Sequence, residues 1–259
     1  MEKEQWLAIQ ASGEKPLLLS PPLPAAPTME AGWTSGTDAD GTVGLTLEWI
    51  EAHAADAALL LTDPWLAVRN LGCDCPGSPS TAAHPLAETD EMPCHCMLPS
   101  AYSVGVPAAL EAARQLRAHC GALALLAPVQ GPFSMAYALR GGGLIGDLTQ
   151  KPDYVRELMD FCAQAVIGLA GLYLDTGMDG LVLTDPALAL LPPLDQDSPL
   201  TDGYQAVLDY LAARDACVLL SAPGADRTAL DALSRLSDRL WIDVTGCPGG
   251  AAHGGEGGA

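Results

Sequence analysis

The chain has 259 residues, 49 % of them hydrophobic and 17 % charged, enough for a large buried core and too apolar for a disordered segment or a coiled coil. Twelve Lys and Arg stand against 32 Asp and Glu, a net charge of −20. A surface that acidic repels phosphate backbones and anionic lipid, which excludes nucleic acid and a membrane surface as partners.

The first residues, Met-Glu-Lys-Glu-Gln-Trp, carry acid where a secretory signal has a basic segment, and no apolar stretch follows them. The longest uninterrupted apolar run, 121–129, falls short of the roughly 18 residues of a membrane span. The expectation is a cytoplasmic protein with no membrane segment. In that setting the eight Cys read as thiols or metal ligands rather than a disulfide framework.

Short apolar runs alternate with helical periodicity along the chain. A strand at 16–20 is followed by a Pro- and Gly-rich connection to residue 45, a helix over 46–55 and a second strand over 57–62. A long connection, 63–106, leads to a helix over 107–119 with Pro at its start, then a third strand over 122–127. The longest helical pattern, 152–176, enters through Lys151-Pro152-Asp153 and precedes a strand at 180–184. After a third long connection, 185–202, come a helix at 203–214, a strand at 217–221, a helix at 225–236 and a strand at 240–244. Strand alternating with helix implies parallel strands joined by crossovers. Residues 1–245 are expected to form one α/β domain and residues 246–259, nearly all small, a flexible tail.

The three long connections all follow strand ends, where an α/β barrel builds its site. The connection after the second strand holds Cys73-Asp74-Cys75 and Cys94-His95-Cys96, with His84 between them. Two close thiol pairs suit tetrahedral zinc or an iron–sulfur cluster, and the alternative is a set of ordinary packed or surface thiols. Asp63 and Asp185 each end a strand and are candidate general acids, bases or orienting groups; the alternative is that each caps the turn that follows. Gln130, Phe133, Tyr137 and Arg140 follow the third strand and are candidates to line a mouth, with Arg140 able to meet an anionic ligand group. Gly141-Gly142-Gly143 lacks the Lys and the context of a phosphate loop, and Ser134 lacks the Gly-x-Ser-x-Gly of a nucleophile elbow.

Gly131-Pro132-Phe133-Ser134-Met135-Ala136, Leu139-Arg140-Gly141, Lys151-Pro152-Asp153-Tyr154-Val155, Asp175-Thr176-Gly177-Met178-Asp179-Gly180 and Thr184-Asp185-Pro186 form one ordered series. It resembles the uroporphyrinogen decarboxylase superfamily, and within it the cobamide-dependent methyltransferases that move a methyl group from a corrinoid protein to a thiol. Leu60-Leu61-Thr62-Asp63 ahead of Asn70-Leu71-Gly72 is similar to the family's second strand and its Asp. The resemblance implies a TIM-type (β/α) barrel, here with about six strands and shortened at its C-terminus. It implies open strand edges covered by a homodimer or another subunit, and a corrinoid protein as partner. It also implies zinc held by a His-x-Cys pair at the end of the fifth strand. Ser221 and Pro223 stand at those positions, so any zinc would come from Cys73, Cys75, Cys94 and Cys96. The expected activity is corrinoid-dependent methyl transfer. The alternatives are decarboxylation of a tetrapyrrole, with Asp63 as proton donor, and a non-catalytic corrinoid- or partner-binding subunit.

Overall fold

The apolar runs pair side by side into one parallel sheet whose spatial order repeats the order along the chain. The computed structural model describes residues 19–20, 38–53, 57–71, 98–191, 199–237 and 240–243. Its strands are β1 (Leu19–Ser20), β2 (Ala57–Leu59), β3 (Ala124–Gln130), β4 (Gly180–Thr184), β5 (Cys217–Ser221) and β6 (Leu240–Asp243), and all five pairings are parallel. The helices are α1 (Ala39–His53), α2 (Leu66–Asn70), α3 (Val106–His119), α4 (Pro132–Arg140), α5 (Gly143–Gln150), α6 (Pro152–Leu174), α7 (Pro199–Ala213) and α8 (Arg227–Ser234). A 3₁₀ turn, Pro186–Leu190, follows β4. Sequential parallel order with a helix between strands is the winding of a (β/α) barrel, with six strands among the described residues.

Strand side chains alternate between two separate apolar clusters. Ala58, Leu60, Leu125, Ala127, Val129, Leu181, Leu183, Val218 and Leu220 pack against the helices. Ala57, Leu59, Ala124, Leu126, Val182, Cys217 and Leu219 form the second cluster on the inner face. Burial on both faces explains why the strands read as continuous apolar runs rather than as alternating ones.

The observed β4 and β5 have the expected bounds, whereas β3 lies further along than 122–127. It runs straight through Pro128. The β2–β3 ladder ends at Leu59 opposite Leu126, with Leu60 N–H bonding the Leu126 carbonyl. By alternation, the donor that Pro128 lacks would face the β2 side, beyond the last regular rung. The shift puts Gln130 on the strand, as its last residue.

Helix α1 starts at Ala39 rather than at 46, because Val43 and Thr46 are buried and offset the helix cost of Gly41 and Gly44. The Thr46 hydroxyl also accepts Leu61 N–H at 3.2 Å, tying the helix to the end of β2. Helix α6, with 23 residues, is long and apolar enough to cross a membrane. Here it buries Val155, Leu158, Met159, Cys162, Val166 and Leu169 in the core. Tyr173, near its end, pairs its hydroxyl with that of Thr62 at 3.2 Å, and burial pushes the phenol up to about 12.

Gly180 opens β4 where a Cβ would lie 2.3 Å from the carbonyl oxygen of Cys217. Backbone cannot yield there as a flexible side chain would. Gly180→Ala is expected to lower the unfolding free energy by about 2–3 kcal/mol in a urea titration, with an unchanged denaturant slope.

Candidate active site at the strand C-termini

The C-terminal ends of the middle strands carry polar side chains on the inner face. The register sets Gln130 opposite Thr184, and Thr184 opposite Ser221. All three share the parity of the inner-cluster residues on their own strands, and all are buried. The Gln130 side chain has no solvent exposure, and neither its Nε2 nor its Oε1 has a hydrogen-bond partner. Its backbone N–H donates to the Pro64 carbonyl at 3.2 Å, which joins the ends of β2 and β3. Next to that junction the Trp65 indole N–H is likewise buried without an acceptor.

Asp63 follows β2 and is 7 % exposed. One carboxylate oxygen accepts Trp65 N–H at 2.9 Å and the other accepts Arg69 Nε–H at 2.7 Å from α2. Burial raises its pKa, against the lowering effect of the Trp65 amide and the Arg69 charge.

Asp185 has no exposure at all and serves a helix made by a distant part of the chain. Helix α4 begins at Pro132, which has no N–H, and its cap residue Gly131 donates to the Thr184 carbonyl at 2.8 Å. The next two donors, Phe133 N–H and Ser134 N–H, both reach the Asp185 carboxylate, at 3.2 and 2.7 Å. Every orphan donor of that helix start is therefore met. Tyr204 of α7 donates its hydroxyl to Asp185, as does Ser134, whose oxygen in turn accepts Ala187 N–H at 2.9 Å. Gly131 permits this approach, since a Cβ there would sit 2.0 Å from a carboxylate oxygen. One carboxylate thus ties the end of β4, the start of α4 and the middle of α7 together directly beside Gln130.

Burial outweighs these four donors and lifts the Asp185 carboxyl from 3.8 to about 6; the phenol of Tyr204 is raised for the same reason and by the carboxylate beside it. A carboxyl with a raised folded pKa contributes stability that is fully present below its unfolded value and is lost as pH rises through the folded one. Between pH 4 and pH 6.5 the wild-type protein is expected to lose about 2 kcal/mol relative to Asp185→Asn. Urea midpoints of both proteins across that range check this, because Asp63 is common to both and cancels.

The remaining mouth candidates lie apart from this row. Phe133 is buried in the helix-side core and Tyr137 is partly buried against it. Arg140 closes α4, about 12 Å along the helix from its first residue. It is 8 % exposed, donates Nε–H to Asp147 at 2.6 Å and lies over the Tyr154 ring at 5.3 Å. Residues 132–150 form two helices, α4 and α5, joined at Gly141 and Gly142; Gly141 has φ 69°, a left-handed value that favours glycine. Cys73, Cys75, His84, Cys94 and Cys96 lie outside the described residues, as does the segment 246–259. Among the described residues no group of three or more His, Cys, Asp or Glu is placed to hold a metal. At the end of β5, Ser221 offers a hydroxyl and Pro223 no donor atom, so a thiolate–imidazole zinc site does not fit there.

Among the described residues, a six-stranded, sequentially wound parallel sheet with a buried polar row at its strand C-termini defines a barrel-type α/β fold. The chain belongs to the uroporphyrinogen decarboxylase (URO-D) family, whose description it matches over residues 34–237. Among curated proteins it is 34 % identical over 64 residues to the methylcobamide:CoM methyltransferase MtbA of Methanosarcina mazei, a match over 25 % of this chain and 19 % of that protein. Its fold is similar to that of a methyltransferase from Methanosarcina mazei, with a TM-score of 0.71 at 19 % identity, covering 91 % of this chain and 74 % of the other.

Proposed function

We propose that the chain is a methyltransferase that takes a methyl group from a corrinoid carrier and passes it to a small thiol at the mouth. The observation that carries this reading is the buried Gln130–Thr184–Ser221 row at the strand C-termini of a family member with methyltransferase relatives. In the transfer the thiol sulfur attacks the methyl carbon as the cobalt–carbon bond breaks. The electron pair of that bond stays on cobalt, and the thiol proton passes to a base. Asp63 is the mouth carboxylate suited to take that proton, because burial has raised its pKa and it keeps 7 % exposure. Asp63 also accepts from Trp65 and Arg69, but Asp185 has no exposure and four donors, so it is a positioning residue.

Porphyrinogen decarboxylation is the weaker reading, because it needs cations to hold several carboxylates. Arg69 and Arg140, the arginines closest in sequence to the mouth, are paired with Asp63 and Asp147. The misfit of Ser221 and Pro223 favours a second reading, a non-catalytic subunit that binds a corrinoid or a partner protein. In either case a corrinoid protein is the proposed partner, and a second subunit would cover the outer edges of β1 and β6.

Methylcobalamin mixed with 2-mercaptoethanol and the purified chain tests the proposal. The expected result is loss of the methyl-cobalt spectrum with formation of the methyl thioether, at least 10-fold slower for Asp63→Asn. Binding of methylcobalamin without transfer would favour the non-catalytic subunit.

A further inference from the structure

The chemistry of the ligand is written in an unsatisfied side chain on the inner face, the one among the described residues whose donor and acceptor both lack a partner. Gln130 is fully buried, and by strand alternation it points to the inner face with Leu126 and Ala124. Both polar atoms of its carboxamide lack partners. Buried polar groups in folded proteins are almost always met by something, and a group that is not met within the chain marks a place for an outside partner.

The surroundings say what kind of partner. None of the inner-face residues on β2 to β5 is basic; Gln130 has Thr184 opposite it on β4, and Thr184 has Ser221 opposite it on β5. The guanidinium of Arg69 is engaged by Asp63 and that of Arg140 by Asp147. The whole chain carries a charge of −20. A carboxylate or sulfonate beside Gln130 would accept from Nε2 but face the lone pairs of Oε1, with no counter-charge among the described inner-face residues of β2 to β5. An uncharged carboxamide meets both atoms at once, its N–H on Oε1 and its carbonyl on Nε2. The match survives a flip of the Gln130 amide, because the pairing is self-complementary.

We propose that the mouth takes its ligand by an uncharged, carboxamide-like group paired with the side-chain amide of Gln130, so that the thiol acceptor is a neutral molecule and not an anion. Gln130 is then the residue that sets specificity. A buried site built to pair with both a donor and an acceptor discriminates strongly against a ligand that leaves one unpaired. The inference rests on the methyl-transfer reading for the thiol, and on the Gln130 environment alone for the amide.

Two probes of nearly equal size separate the possibilities: 2-mercaptoacetamide and 2-mercaptoacetate. In ¹⁵N-labelled protein, the side-chain NH₂ signals of Gln130 are those missing from Gln130→Met. The expected result is that 2-mercaptoacetamide shifts those signals saturably and binds at least 10-fold more tightly than 2-mercaptoacetate. Gln130→Met should lose the preference, and Gln130→Asn, which keeps a shorter amide, should retain part of it. Equal affinity for the two probes, a preference that persists in Gln130→Met, or no saturable shift of the Gln130 signals would overturn the inference. Because binding is read without turnover, an amide preference in a protein that fails to demethylate methylcobalamin would remove only the methyl-transfer reading. Methyl transfer with no amide preference would remove only this one.

Discussion

Replacing Asp185 by alanine is expected to lower the unfolding free energy by about 3–5 kcal/mol at pH 7, one of the two largest effects of a single change in this chain. The carboxylate receives two backbone donors of helix α4 and the hydroxyls of Tyr204 and Ser134, all in a region without solvent. Removing it leaves four buried donors unmet, each at a cost of about 1–3 kcal/mol, partly offset by relief of the burial that raises its pKa. The loss should not be confined to stability. Gly131 stands between Gln130 and α4, so freeing the start of α4 also frees the mouth. Tyr204→Phe removes one donor and leaves three, so it should cost less, about 1–2 kcal/mol, without abolishing ligand binding. Chemical denaturation of the two variants, with 2-mercaptoacetamide binding measured on the folded protein, checks both statements. An alanine variant as stable as the wild type would mean that α4 holds its start without Asp185.

The second large effect is expected at the opposite end of the sheet. Asp179 precedes β4 and is almost entirely buried. Its carboxylate accepts Leu125 N–H at 2.9 Å and pairs with the Arg117 guanidinium, while its own backbone bonds β3 and β5 through Leu125 and Cys217. Arg117 also donates to the carbonyls of Gly177 at 2.8 Å and Leu123 at 3.0 Å. Asp179→Ala strands the arginine beside two carbonyls and leaves the Leu125 amide unmet, at an expected cost of about 3–5 kcal/mol. This cluster lies at the N-terminal ends of the strands, away from the mouth, where barrel residues serve stability rather than chemistry. The variant should therefore bind 2-mercaptoacetamide with wild-type affinity under conditions where it stays folded. A double-mutant cycle with Arg117→Met should return a coupling of about 1–3 kcal/mol; a value near zero would show the pair to be incidental.

The sheet was largely legible in the sequence because its strands are buried on both faces and so stand out as uninterrupted apolar runs. Strands β4 and β5 fall where the runs do, whereas β3 is displaced from its apolar run, starting at Ala124 and continuing through Pro128 to Gln130. Helix α4 was not legible, and its physical reason is specific. Its start has a glycine and a proline but no capping side chain of its own, so it looks like a turn; the cap is Asp185, supplied by the chain 51 residues beyond Ser134. The same distance hid the work of Asp185. Its place at a strand end was readable, whereas its bonds to Ser134 and Tyr204 depend on three elements meeting. In the sequence Arg140 stands as a cation able to meet a ligand, and its engagement by Asp147 becomes visible only where α4 and α5 fold against each other. Gln130 was singled out for its position after a strand; that it is fully buried, inward-facing and unpartnered needed the true end of β3.

Because each strand pairs only with its neighbours along the chain, no pairing has to span more than one strand–helix–strand unit. Assembly can begin at one interior pair and spread outward in both directions, with every added unit gaining a prepared surface. The long β3–β4 and β4–β5 pairings, pinned by Asp179 from below, are the natural starting point, and the two-residue β1 is the natural last arrival. Native-state hydrogen exchange should record that history as a gradient: slowest at Leu125, Leu183 and Leu219, faster toward β2 and β6. In this protein the mouth would therefore be built from the middle outward, and its polar row would be in place before the flanks close around it.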